Sequence, residues 1–271
     1  MKLTWKQYRW IALWAANLIV IVSVWASLSW RGATTGTTPV MLMSFSRLAA
    51  LLAAYCLLVQ FWLIGRSPWL EQDFGLDRLT RIHRWNGFAT VSLVLIHAFS
   101  LFNAQSMILS VQIPEAVKYV LNTYEDTTKA LIAELSLVLI VVTSLVIVRR
   151  KLPYEAWYYV HLLTYVAIVF SFGHQVHNGQ HLLSNEWFRA YWYVMFGVSG
   201  ILFIVYRFVR PFWNWQRHRF RVTRIVEEAT GVRSIYIGGN NIQSFAYTAG
   251  QFGKFWFVAK GFWLEDHPFT I

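Results

Sequence analysis

Six long apolar runs, separated by short polar or charged stretches, set the rhythm of residues 10–208. A helix rises about 1.5 Å per residue and a bilayer core is about 30 Å thick, so about 20 apolar residues make one crossing. The pattern predicts spans over about 10–30, 41–64, 81–103, 129–148, 155–173 and 189–208. The second contains one charge, Arg47, and the fourth contains Glu134. Residues 31–36 form a turn-rich connection. The stretch 65–80 is polar, and its Trp69 and Phe74 are placed to rest it on the membrane surface. A polar loop over 104–128 holds an amphipathic piece around 114–121, and Arg149-Arg150-Lys151-Leu152-Pro153 is a short basic turn.

After Arg210-Pro211 the period changes. Residues 220–226 and 232–237 read as strands joined by a turn at 227–231, with another turn at 238–241 and a third strand at 255–258. This soluble β piece is too short to be a complete barrel. The predicted fold class is an α-helical membrane protein. A six-span transmembrane bundle over 1–210 precedes an incomplete antiparallel β-barrel over 211–271.

Charge sets the topology. Segments 1–9, 65–84, 149–155 and 207–224 carry 16 of the 24 basic residues, whereas the opposite loops and their flanks carry only Arg31, Lys118, Lys129 and Arg189. By the positive-inside rule both termini are cytoplasmic. The net charge of +11 has the sign of a nucleic-acid binder, but these cations sit beside apolar runs, so membrane topology accounts for them and no nucleic acid is expected. Only 14% of residues are charged, against about 25% in soluble domains. The single cysteine, Cys56, excludes an intrachain disulfide. Lys2, Lys6 and Arg9 before an apolar run resemble a signal peptide, but that run is too long for one, so an uncleaved first span is expected.

Histidines supply the candidate chemistry. His83 and His97 stand 14 residues apart on the third span, and His161 and His174 stand 13 apart on the fifth. Each pair spans about 20 Å along a helix. Both spans run from inside to outside, so His83 faces His161 near the cytoplasm and His97 faces His174 near the outer side. That is the geometry for two stacked haems, each iron held by two axial histidines. A lone histidine in a membrane helix is usually a packed residue, but ionisable groups there are expensive and usually functional, and four in matched pairs point to ligation. One step is awkward: 14 residues return to within about 40° of the starting face, whereas 13 land about 140° away. Gly173, just before His174, suggests that the helix loosens or ends there. The spacing alone names no family, since cytochrome b of the quinol-oxidising complexes has similar pairs.

Other polar residues have two readings each. Arg47, at outer-haem depth, suits a haem propionate, or else snorkels outward. Arg81 and Arg84 flank His83 and could serve the inner haem, though they equally satisfy the positive-inside rule. His177 and His181 read as solvent-exposed loop histidines or as acceptor-binding groups near the outer haem. His218 belongs to a basic stretch, and Glu134 receives no role.

At His267-Pro268-Phe269-Thr270 the sequence resembles the flavin-binding motif of the ferredoxin-reductase-type FAD barrel, in which such a strand lies along the flavin. Ala249-Gly250-Gln251-Phe252 resembles the Pro-Gly-Gln-Phe-type segment preceding it, with Ala249 in place of proline. Six spans with this histidine spacing, His83-Arg84 followed by Gly87, and then the barrel motif resemble the ferric reductase and NADPH oxidase superfamily over essentially the whole chain. The resemblance implies an NAD(P)H-dependent oxidoreductase of the plasma membrane, a multi-pass flavoprotein in contact with lipid. Electrons would pass from cytoplasmic NAD(P)H through FAD to two b haems, held by His83/His161 and His97/His174, and then to O₂ or ferric iron outside. The glycine-rich nicotinamide signature is absent from these 271 residues. Either the chain is a fragment or a partner chain supplies that part, and by itself it should hold haem well and FAD poorly. Two alternatives remain: a haem-only cytochrome b subunit fed by quinol or a partner flavoprotein, and a structural or transport protein with packed histidines.

Overall fold

Backbone amides in lipid find no water, so apolar runs of this length must satisfy them internally as helices. The computed structural model describes residues 3–245, 252–257 and 266–271. In chain order its helices are α1 (Trp5–Thr35), α2 (Thr38–Ile64), α3 (Pro68–Phe74), α4 (Leu76–Leu109), α5 (Ile113–Thr123), α6 (Thr127–Ser144), α7 (Val146–Arg149), α8 (Tyr154–Asn178), α9 (Gln180–Ser184), α10 (Glu186–Ile204) and α11 (Arg210–His218), with a π-helical turn over Val205–Val209. Among the described residues, six helices are long and apolar enough to cross a membrane: α1, α2, α4, α6, α8 and the one beginning at Glu186. Local chemistry sets their ends. Thr4 and Gln7 form a reciprocal capping box at the start of α1, and Pro39, Pro68 and Pro114 sit in the first turns of α2, α3 and α5.

The chain divides into two compact units, Met1–Arg207 and Phe208–Ile271. In the first, α2 is the most buried crossing. One core joins Ile21 and Trp25 of α1 with Leu51 and Tyr55 of α2, Leu182 of α9, and Phe188 and Trp192 of α10. A second joins Leu57 of α2, Val91 of α4, Ala133 and Leu137 of α6, and Ala167 of α8. Large apolar side chains such as Trp30, Phe99, Leu135, Val169 and Val194 point outward, as lipid-facing residues must. Tryptophan N–H groups tie helices together: Trp25 donates to Ser44 O at 2.9 Å, Trp62 to Ser199 Oγ at 3.0 Å and Trp192 to Gln175 Oε1 at 3.0 Å.

In the second unit, strands β1 (Arg221–Ala229) and β2 (Val232–Gly238) form an antiparallel hairpin, turned at Gly231 with φ +79°. Strands β3 (Phe252–Trp256) and β4 (Asp266–Thr270) form a second antiparallel pair in which Phe255 lies opposite His267. His218 is buried, stacks on Phe220 at 5.2 Å and donates from Nδ1 to Asn240 O at 3.1 Å. A Cβ on Gly239 would lie 2.3 Å from His218 O, so only glycine fits this close approach.

The architecture predicted from the pattern, a six-span helical bundle followed by a small antiparallel β piece, is the one observed. Several boundaries differ. The expected loop over 104–128 is shortened from both sides, because α4 runs on to Leu109 and α6 begins at Thr127. The stretch 65–80 holds α3 and the start of α4, and the fourth span breaks at Leu145 before the short α7. Helix α8 does not end at Gly173 but continues to Asn178. The α5–α6 turn explains the extension: Asn178 Nδ2 donates to Glu125 O at 2.5 Å, and His177 Nδ1 meets Asp126 Oδ2 at 2.8 Å, so the last turn of α8 is bonded in place. The third strand is Phe252–Trp256 and not 255–258, and most of the segment Ala249-Gly250-Gln251-Phe252 lies outside the described residues.

Candidate functional site

Helices α4 and α8 each begin near a basic segment, 65–84 and 149–155, and run in the same direction, since His83 meets His161 while His97 and His174, both further along, line common cavities. Near that basic end, the rings of His83 and His161 lie 6.1 Å apart at an interplanar angle of 59°. Their Nδ1 atoms are both buried without a hydrogen-bond partner. Trp157, one turn before His161, packs its indole 5.1 Å from that ring, and Arg149 lies 4.9 Å over the indole.

Toward the opposite end, His97 and His174 line common cavities, one of about 120 Å³ and one of about 300 Å³. The walls are mostly apolar, with Ala50, Ala54 and Leu101 shared by both. Ser46 grips His97: its hydroxyl donates to His97 O at 3.0 Å, and His97 Nδ1 lies 2.9 Å from Ser46 Oγ and 3.0 Å from Ser46 O. The Asn178 amide lies 3.3 Å from His174 Nδ1. His161 and His174 lie on one continuous helix, so α8 is not loosened at Gly173.

A metal–imidazole bond is about 2 Å long and the ring centre lies about 1 Å further, so two imidazoles sharing one metal have centres about 6 Å apart. The His83/His161 separation suits that sharing. Among the described residues no group of three His, Cys, Asp or Glu side chains gathers as for a bare ion. A two-histidine donor set therefore fits a metal whose remaining ligands come from a macrocycle.

The other predicted residues fall in different places. Arg47 lines the larger cavity with His97 and His174, together with Tyr124 and His181. Arg84 is exposed beside His83 in sequence. His267, Pro268, Phe269 and Thr270 lie on β4, where Phe269 packs 6.1 Å from Phe255 and 6.0 Å from Phe257. His177 is exposed, as expected, and pairs with Asp126. His181 corrects the loop reading, because it is only 3% exposed on α9, within 3.1 Å of Ser29 Oγ. Burial and the nearby Arg47 charge lower its pKa to about 4, so it is neutral at physiological pH. Glu134 lines the smaller cavity beside His97 and His174, a placement its sequence position did not reveal.

Sequence reasoning also missed Ser46 and Gln60. Their signal was available, as two polar residues 14 apart on an apolar span, matching the spacing of His83 and His97.

Residues 49–172, which include all four histidines except His174, match the family model described as ferric reductase like transmembrane component. Over that stretch the membrane bundle is similar to a ferric reductase-like transmembrane component. That likeness and the six long apolar helices support a multi-pass membrane protein of a transmembrane oxidoreductase type. No curated protein matches the chain.

Proposed function

We propose that the bundle carries electrons across the plasma membrane through two b haems, one between His83 and His161 and one between His97 and His174. The donor side is cytoplasmic NAD(P)H acting through FAD, and the acceptor outside is O₂ or ferric iron. The observation that carries this reading is the pair of parallel helices, each presenting two histidines, with one cross-helix pair of rings 6.1 Å apart. His83 with His161 and His97 with His174 would hold the haems, and haem bound there would supply one-electron exchange.

The chain's own residues define the surroundings. The apolar walls around His97 and His174 exclude water, and Arg47 offers a guanidinium to a haem carboxylate in the larger cavity. Arg84 serves the inner site from the basic end. In this reading residues 1–210 are the membrane domain and 211–271 belong to a flavin-binding barrel, where His267, Pro268, Phe269 and Thr270 would hold FAD. The extended β4 supports that placement. Each NAD(P)H oxidised releases two electrons and one proton, and two acceptor molecules take one electron each. The basic segments support termini on the cytoplasmic side.

A pyridine haemochrome assay on the purified protein should find two b haems per chain, with a low-spin spectrum. Absence of haem b would overturn the reading in favour of packed histidines. If haem is present, reduction by quinol alone would favour the haem-only subunit over a flavin-fed route.

A further inference from the structure

Helix α2 runs antiparallel to α4 and brings one polar side chain to the level of each α4 histidine. Ser46 and Gln60 are 14 residues apart, as are His83 and His97 in the opposite chain direction. Ser46 meets His97, and Gln60 Nε2 donates to His83 O at 3.1 Å. Between them, Asn86 Nδ2 donates to Cys56 O at 2.7 Å and fixes the register. We propose that Ser46 and Gln60 are positioning residues that set which imidazole nitrogen of His97 and of His83 faces the iron. This rests on the haem reading above.

At His97 the hydrogen-bond pattern leaves one solution. A backbone carbonyl only accepts, and Ser46 O lies 3.0 Å from Nδ1, so Nδ1 carries the hydrogen. The Ser46 hydroxyl proton is already given to His97 O, which leaves Oγ to accept from Nδ1 as well. The lone pair therefore stands on Nε2, the nitrogen left for a metal.

At His83 the same device is half made. Gln60 Oε1 is a buried acceptor without a partner, and His83 Nδ1 is a buried nitrogen without a partner. Unpaired buried groups are rare, and here two complementary ones sit on residues already joined by a hydrogen bond. Gly87, one turn beyond His83, keeps space for the amide, since a Cβ there would lie 3.2 Å from Gln60 Nε2. Gln60 takes the Nδ1–H of His83 when Nε2 holds iron. This gives both α4 histidines the same polarity and makes each a stronger electron donor to its metal.

The test is a potentiometric titration of the whole purified protein, read with low-temperature EPR. Gln60→Leu should shift one haem wave to higher potential, and Gln60→Glu, which keeps an oxygen acceptor and strengthens it, should shift the same wave lower. Ser46→Ala should move the other wave upward by less, because Ser46 O remains, while Ser46→Thr should titrate as wild type. A residue that only packed the helices would not move one wave in opposite directions. Waves and EPR signals that stay at wild-type positions in Gln60→Leu and Gln60→Glu, with haem retained, would overturn the proposal. If Gln60→Leu does not fold, Gln60→Glu decides alone: a downward shift supports the proposal and an unmoved wave overturns it. Wild-type protein that holds no haem would instead remove the haem reading on which it rests.

Discussion

The His97 ring bonds to Ser46 through Nδ1 and lines the cavities it shares with His174, while the Ser46 hydroxyl also donates to the His97 backbone carbonyl, a bond between α2 and α4 that survives loss of the ring. His97→Leu should halve the haem-to-protein ratio while the inner site stays, and an unchanged ratio would contradict the assignment. His181 is buried and neutral, with a pKa lowered from 6.5 to about 4. A histidine held low favours the fold while it is uncharged, so that contribution is full above about pH 6.5 and is lost as pH falls toward 4. Thermal unfolding of wild type should therefore drop over that interval, and His181→Asn should flatten the drop. Gly239→Ala forces a methyl to within 2.3 Å of His218 O, and overpacking of this kind costs about 1–3 kcal/mol. A lowered Tm of the Phe208–Ile271 unit, with the bundle's own melt unmoved, is the expected result.

Among the elements, the α5–α6 turn acts as a strap over the end of α8. Asp126 accepts from both Lys129 and His177, and a Cβ on Gly173 would lie 3.1 Å from its Oδ2. The Lys129 and His177 hydrogen bonds hold the Asp126 carboxyl below its usual range. A depressed carboxyl stabilises the fold above its unfolded pKa and loses that effect only as pH falls through the lower folded value. Asp126→Asn should speed hydrogen exchange over 124–129 a few-fold at pH 7. Wild type should keep its protection at pH 4, and equal exchange in the two proteins at pH 7 would remove the strap role. The continuation of α8 past Gly173 was not legible in the sequence, because glycine lowers local helix propensity and the bonds that outweigh it come from residues about 50 positions away.

At the scale of the whole molecule, orientation is the testable property. The proposed topology, with both termini inside, predicts that a cysteine introduced at Thr35 reacts with an impermeant thiol reagent added outside intact cells. One introduced at Lys151 should react only after the membrane is opened. The reverse pattern would invert the electron path as well as the topology, since His83 and His161 lie at the end carrying the basic segments.

The chain by itself determined how many helices are long and apolar enough to cross a membrane, where the basic segments fall between them, and which two carry paired histidines. Those properties depend on run length, on the placement of charge, and on spacing along a single helix, all of which are local. Tertiary structure decided what no single helix contains: that Ser46 and Gln60 of α2 stand opposite the α4 histidines, that Glu134 and Arg47 reach the cavities around His97 and His174, and that His181 lies buried. Each depends on which neighbour a helix packs against and at what register. In a membrane, where apolar side chains look alike to lipid and to protein, small and polar residues set that register only once the helices meet.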